Sequence, residues 1–261
     1  MHYELIKKSL KDLDKRLIIL VILQNAIILG LLYAFLYING LTGLMAMQNF
    51  TKDQIYEILA GINARIIISG FFALVLAFII NSMLVGLRLN LTREIVQRKR
   101  AISGIFELGN SEWIKVAMLK LLMFLIIFFA SAAIILIAYL ASLVNGSLTI
   151  ALLVVLIIIA AVLFLFGLLF SYAIMFLLDT TPWNAIKKSF RYFFSNKGLA
   201  VITFLILVLA ALPASLISAL DALKIQWLSL LVFAVRTIYG LVLAAWNDLF
   251  IFNIYAKKMD G

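Results

Sequence analysis

The stretch that decides the fold is the apolar run LTIALLVVLIIIAAVLFLFGLLFSYAIMFLL at residues 148–178, which contains no charged side chain. A helix of about 20 apolar residues already crosses the hydrocarbon core of a bilayer. This run is longer than that crossing requires, so its helix must tilt, kink or extend beyond the bilayer. The run therefore predicts a membrane-spanning helix that is longer than the hydrocarbon core requires.

Outward from this run, the chain contains five more apolar stretches long enough to cross a membrane. The six predicted spans are Leu17–Ile38, Ile66–Leu87, Leu121–Val144, Leu148–Leu178, Leu199–Leu220 and Trp227–Ala256. Helices are predicted because every backbone polar group must be paired within lipid, and a barrel would show short alternating segments instead. The composition agrees, since 66% of the 261 residues are hydrophobic and only 13% are charged. We expect an all-α membrane protein forming a single membrane domain, with kinks favoured at Pro213 and Gly240.

The basic residues border these spans unevenly. Eighteen of the 22 lysines and arginines fall in the leader, in the second and fourth connections with the adjoining span ends, and in the tail. The other connections contain only Lys52, Arg65 and Lys224. The positive-inside rule therefore predicts a multi-pass protein of the cell membrane with both termini in the cytoplasm. The net charge of +10 is better explained by the bilayer and its anionic lipid headgroups than by nucleic acid, which is not a predicted partner.

A second stretch, TTPWNAIKKSFRYFFSNKG at residues 180–198, predicts a short amphipathic helix at the membrane surface. Thr181 is a good N-cap and Pro182 a good first helical residue. The apolar stripe at helical spacing consists of Ile186, Phe190, Phe193 and Phe194. The cations off that stripe are Lys187, Lys188 and Arg191.

The leader repeats this pattern, including the same four letters IKKS. Its stripe is Ile6, Leu10, Leu13 and Leu17, and its cations include Lys7, Lys8 and Lys11. A third basic stretch, with the cations Arg98, Lys99 and Arg100, precedes the third span. The repeated order predicts three pseudo-symmetric units, 1–88, 89–178 and 179–261, each a basic amphipathic interfacial helix followed by a transmembrane hairpin.

Polar residues inside the spans are candidates for function, because they are costly in lipid. The candidates are Asn25, Asn81, Arg236, Asn247 and Asp248. Arg236 lies near mid-membrane if the sixth span starts at Trp227; if it starts at Thr237, Asp248 takes that depth. The two charges are 12 residues apart, roughly 18 Å along a helix, so they cannot pair directly. Either Arg236 snorkels or pairs with a neighbouring helix, or these groups line a polar pathway or headgroup pocket.

Catalytic chemistry finds little support in the sequence. Cysteine is absent and His2 is the single histidine, which argues against thiol, thiolate-metal and histidine-based sites. No phosphate-cradling glycine loop, metal cluster or Ser/His/Asp set is recognisable. We therefore predict a protein that is not an enzyme and has no cofactor or metal.

The stretch AIKKSFRYFFSNKG between spans four and five and the last-span pattern AAWNDLFIFNIYAKK, with the six spans, carry a resemblance. The chain resembles a family of prokaryotic six-span integral membrane proteins of unknown function. That family is related to the membrane domain of some glycerophosphoryl diester phosphodiesterases. Its "Ala-x-x-x-Ser-aromatic" stretch corresponds to Ala185, Ser189 and Phe190, and its terminal motif to Trp246, Asp248 and Tyr255. The resemblance implies a membrane module without a catalytic domain.

Three functional hypotheses follow from these observations. The first is a non-enzymatic membrane module whose basic interfacial helices bind anionic lipid, a membrane protein partner or a second copy of the chain. The alternative is a small-solute transporter or permease, suggested by the pseudo-repeat and by Arg236, Asn247 and Asp248. A lipid-modifying enzyme comes last, because no residue spacing predicts its catalytic dyad.

Overall fold

The computed structural model describes residues 2–41, 63–97, 111–142, 146–219 and 226–259. Over these residues the protein is all-α, with nine helices and no strand. They are α1 (His2–Lys11), α2 (Lys15–Ile38), α3 (Ala64–Val96), α4 (Ser111–Ser142), α5 (Gly146–Gly167), α6 (Ser171–Leu177), α7 (Pro182–Ser195), α8 (Lys197–Ala219) and α9 (Gln226–Met259).

Six helical segments of the described residues are long and apolar enough to cross a membrane. They correspond one for one to the six predicted spans, with α5 and α6 sharing the fourth. The predicted fold class, an all-α membrane protein with six spans, is therefore confirmed. The division into three repeated units, each preceded by a basic helix, stays a prediction, and its third basic stretch lies outside the described residues.

The long fourth run is divided near Gly167, where α5 ends and a turn over residues 168–170 leads into α6. Gly167 is buried under the ring of Phe190 from α7, and a Cβ atom placed on it would lie 2.3 Å from a ring carbon. The absence of a side chain therefore lets α7 pack over this turn. At the positions where kinks were favoured, α8 continues through Pro213 and α9 through Gly240.

The boundaries of α3 and α4 correct the expected second connection. The predicted second span ended at Leu87, but α3 continues to Val96, and α4 begins at Ser111, before the predicted Leu121. The sequence places Arg88 in the connection and Lys120 at the border of the next span, yet both lie within helices. Hydropathy falls at Arg88, whereas no glycine or proline stops the helix there.

Span α9 is the central element of the packing. Consecutive spans contact each other, and α9 also contacts α1, α2, α3 and α6. The buried residues are concentrated at one end of the bundle, which we call the basic end. It consists of α1, α6, α7, the first turns of α2, α4 and α8, and the last turns of α3 and α9. Towards the opposite end the spans expose large apolar side chains around most of their surface, as lipid-facing helices do.

The two short amphipathic helices rest on this core with faces that differ in part from the predicted stripes. In α1 the buried residues are Leu5 and Ser9, whereas Leu10 from the predicted stripe is 55% exposed. In α7, Ile186 and Phe193 are buried as the stripe requires, but Phe194 is 52% exposed. The buried face of each helix is therefore rotated from its predicted stripe. Small residues explain this rotation, because the buried Ser9 of α1 and Ala185 and Ser189 of α7 allow close approach to the bundle.

Candidate functional site

A buried ion pair joins α3 to α9 inside the basic end. Nε of Arg88 lies 2.6 Å from Oδ2 of Asp248, and the two side chains are only 15% and 18% exposed. Arg88 is eight residues before the end of α3, about 12 Å along the helix, so the pair lies well inside the bundle. Charges in such surroundings are tolerated when they are paired.

Amide side chains extend this pair to the first span. Nη1 of Arg88 donates a hydrogen bond of 2.9 Å to Oε1 of Gln24 on α2. The amide nitrogen of Gln24 donates in turn to Oδ1 of Asn81, on α3, at 2.6 Å. We call these four residues, Gln24, Asn81, Arg88 and Asp248, the polar network. It connects α2, α3 and α9, and it leaves both hydrogen-bonding ends of Gln24 satisfied.

Two further polar side chains come close to the polar network. Nζ of Lys120, on α4, is buried without a hydrogen-bond partner and is subject to electrostatic repulsion by Arg88. The Tyr172 hydroxyl, on α6, interacts electrostatically with both Arg88 and Asp248. The buried region therefore contains two cations and one carboxylate, contributed by three different spans.

The predicted intramembrane candidates separate into two groups. Asn81 and Asp248 belong to the polar network, and Asn247 lies next to it with a buried oxygen that has no partner. Asn25 is exposed and donates to the carbonyl of Val21 in its own helix at 2.8 Å. Arg236 is exposed on α9, about 18 Å from Asp248 towards the opposite end. Asp248 is therefore packed inside the bundle and Arg236 is not, while the depth of either residue in the membrane stays a prediction.

Sequence reasoning missed Arg88 and Lys120 as members of this site, because it treated cations at the edges of apolar runs as loop residues. One pattern could have identified Arg88. No glycine or proline lies between Arg88 and Val96, so the helix could be extended past Arg88. An aspartate inside a span also requires a cation close by, and Arg88 is such a cation.

The outer face of α7 presents a basic and aromatic surface. We call Trp183, Lys187, Lys188, Arg191 and Phe194 the α7 surface, since all five are exposed. Nζ of Lys187 lies 5.2 Å from the centroid of the Trp183 ring, within cation–π range. Lys197 is placed similarly over Phe194, at 5.9 Å.

The other predicted lipid-facing cations are described only in part. On α1, Lys7 and Lys11 are exposed, while Lys8 is half-buried. Arg98, Lys99 and Arg100 lie outside the residues that the structure describes. The exposed cations of α1 and α7 share the basic end of the bundle.

Asp179 and Tyr192 are among the titratable groups outside the spans that have shifted pKa values. Nζ of Lys115 donates to Oδ1 of Asp179 at 2.6 Å, and this hydrogen bond lowers the pKa of Asp179 below its ordinary value. Burial raises the pKa of Tyr192, on α7, to about 12. Its hydroxyl has no partner in the described structure, and its ring packs on Phe170 and Tyr255 at centroid distances of 4.8 and 5.1 Å.

The groups available at these sites are suited to binding charged and polar ligands. The polar network pairs a guanidinium with a carboxylate and amides. Among the described residues, no group of three or more His, Cys, Asp or Glu side chains could hold a metal ion. The α7 surface offers ammonium and guanidinium groups suited to phosphate oxygens.

None of the protein-family models, curated proteins and solved structures compared with the chain matches it. The six spans establish a multi-pass α-helical membrane protein. Its more specific function is argued below from its own residues.

Proposed function

We propose that this protein is a non-enzymatic membrane module whose basic end binds anionic lipid headgroups through the α7 surface. The observation that carries the proposal is the exposure of three cations beside two exposed aromatic rings on one helix. Tryptophan and other amphipathic rings favour the headgroup level of a bilayer. Each lysine or arginine held near an anionic membrane surface contributes about 1 kcal/mol of attraction.

The way in which α7 is held supports a headgroup contact. Its buried face, including Ala185, Ile186 and Phe193, packs on α4, α5 and α6. An interfacial helix that binds by insertion keeps its apolar face for lipid, whereas here most of that face is covered by protein. Lipid would therefore be contacted by the outer cations and by Trp183 and Phe194, on a surface already ordered before binding.

The side of the membrane follows from charge. Because most of the basic residues belong to one end of the bundle, we propose that this end and both termini face the cytoplasm of a cell membrane. The anionic lipids of that leaflet would then face the α7 surface. The likeness to the six-span family of unknown function stays a prediction.

The experiment uses the full chain purified in a neutral detergent. Retained phosphatidylglycerol and phosphatidylcholine are counted by native mass spectrometry for the wild type and for Lys187→Glu/Lys188→Glu/Arg191→Glu. We expect the preference for phosphatidylglycerol to fall at least fivefold for each cation lost, since about 1 kcal/mol corresponds to that factor. Lys187→Arg/Lys188→Arg is the matched control that should keep the preference.

An unchanged lipid preference in the charge-reversed protein would overturn the proposal. A second control, Lys257→Glu/Lys258→Glu, reverses two exposed cations at the end of α9 and should have a smaller effect. If only a complex with another membrane protein or with a second copy of the chain were lost on charge reversal, that partner would replace lipid as the occupant of the α7 surface.

The permease alternative is favoured by one observation, the buried charges of Arg88, Lys120 and Asp248. Because the chain contains no cysteine, Gln24→Cys and Asn247→Cys each introduce a single thiol beside these charges. A water-filled pathway predicts labelling by a membrane-impermeant maleimide in proteoliposomes. A network that only holds α2, α3 and α9 together predicts protection, with labelling confined to an exposed control such as Lys187→Cys.

A further inference from the structure

A groove of about 280 Å³ lies between α1, α8 and α9 and extends from α1, at the basic end, along the middle of the two spans. Its walls include Leu10 of α1, Ile206 of α8, and Leu243 and Trp246 of α9. At about 30 Å³ for each water molecule, the groove has the volume of roughly nine waters. Apolar walls of this kind favour hydrocarbon over water.

The indole of Trp246 forms part of the apolar wall of this groove and stacks on the ring of Phe250 at a centroid distance of 4.9 Å. Trp246 is 6% exposed, and its Nε1 is buried without an acceptor in the described structure. The groove therefore offers apolar contact to a hydrocarbon chain, and the ring of Trp246 lies close enough to report on a chain bound there.

The charge around the groove indicates which amphiphile fits. Leu10, which lines the groove, is 55% exposed, and Lys7 lies one helical turn before it on α1. Lys11 follows directly after Leu10, and both lysines are exposed. Two cations at the entrance complement an anionic headgroup, while α8 and α9 run from there as membrane spans.

We propose that this groove binds one acyl chain of an anionic phospholipid, with the headgroup phosphate at Lys7 and Lys11. The inference deepens the proposed lipid contact and rests on it for the sign of the headgroup charge. It shares no residue with the α7 surface. A lipid bound here would contact α1, α8 and α9 together, so the packing of α1 on the bundle would depend on the membrane.

The experiment measures quenching of Trp246 fluorescence by acyl-brominated phosphatidylglycerol. The background is the full chain with Trp113, Trp183 and Trp227 replaced by Phe, so that Trp246 is the single tryptophan. Ile206→Phe fills the groove, whereas Leu205→Phe adds the same side chain at the next position, which is 51% exposed and outside the groove. We expect strong quenching in the background and in Leu205→Phe, and loss of most of it in Ile206→Phe.

The headgroup contact is measured separately. Lys7→Gln/Lys11→Gln should lower the preference for brominated phosphatidylglycerol over brominated phosphatidylcholine by roughly fivefold for each lysine. Lys187→Glu/Lys188→Glu/Arg191→Glu should leave Trp246 quenching unchanged, so failure of the α7 surface and failure of the groove are distinguishable.

Two results would overturn the groove site: equal quenching in Ile206→Phe and Leu205→Phe, or no quenching of Trp246 in the background protein. If Ile206→Phe does not fold, Ile206→Val provides the test, because it widens the groove. Quenching must then be kept or increased, and a decrease would equally overturn the site.

Discussion

Replacing Asp248 by Asn tests the buried ion pair most directly. The substitution keeps the shape of the side chain and removes the charge that faces Nε of Arg88 at 2.6 Å. At that distance, and with an effective dielectric constant of 20, the attraction between the two charges is about 6 kcal/mol before desolvation is subtracted. The net value of the pair is far smaller, because both ions leave water when the protein folds.

The cost of Asp248→Asn is nevertheless large, since it leaves Arg88 buried and charged without its counter-ion. We expect the free energy of unfolding to fall by about 3–5 kcal/mol. Arg88→Met, which strands the carboxylate instead, should cost a similar amount. The double variant Arg88→Met/Asp248→Met should recover most of this loss, because replacing both charges by apolar groups is nearly neutral.

The assay is a double-mutant cycle on the protein in mixed micelles, with unfolding by sodium dodecyl sulfate followed by circular dichroism. A coupling free energy of several kcal/mol is expected between the two positions. Lys115 and Asp179 are the matched control, since their ion pair has the same length of 2.6 Å but Asp179 is 71% exposed. Solvent screening limits the expected cost of Asp179→Asn to about 1 kcal/mol or less.

Additive effects of Arg88→Met and Asp248→Met in this cycle, within about 0.5 kcal/mol, would refute the argument that the two charges depend on each other. A cost for Asp179→Asn as large as that for Asp248→Asn would refute the role assigned to burial.

Other substitutions test the packing and the shifted pKa values. Gly167→Ala should destabilise the protein by about 1–3 kcal/mol in the same unfolding assay, because the new Cβ would displace the Phe190 ring. Gly240→Ala has no heavy atom within 4 Å of its Cβ and should stabilise α9 by about 0.5–1 kcal/mol; a reversed order of these two variants would contradict the packing. Tyr192→Phe should be neutral or stabilising at pH 7, because it removes a buried hydroxyl without a partner. The pKa of Tyr192 is raised to about 12, so the folded state favours the neutral phenol. The stability that this preference contributes to the folded state is complete below about pH 10 and is lost as the pH rises through 12. Tyr192→Phe should lack this loss of stability in an alkaline titration. The pKa of Asp179 is lowered by its hydrogen bond from a lysine. The stability difference between wild type and Asp179→Asn should therefore be present above about pH 4 and vanish as the pH falls through the folded-state pKa; a difference that grows on acidification would contradict the lowered pKa.

The number and type of spans could be predicted from the sequence because lipid leaves the backbone little choice. Without water to bind its polar groups, a long apolar run such as Leu148–Leu178 must pair them internally and become helical. Orientation could be proposed for a similar reason, since cations are counted without knowing where helices pack. The end of an apolar run predicts the end of a helix less well. At Arg88 the hydropathy falls, but α3 continues to Val96.

Partners of polar groups could not be predicted, because they lie on other spans. The sequence by itself determined that Asp248 is costly in a membrane, but only the packing of α9 against α3 assigned Arg88 to it. Likewise, the sequence marked α7 as amphipathic, whereas contacts with α4, α5 and α6 decided that its apolar face covers protein and its cations face outward. The physical reason is common to both cases. Lipid acts on each span separately, so the apolar residues that a span needs can be recognised from its own sequence. A buried charge is instead paired with, and a face of small residues is packed against, residues of another helix. Only the tertiary structure identifies that helix.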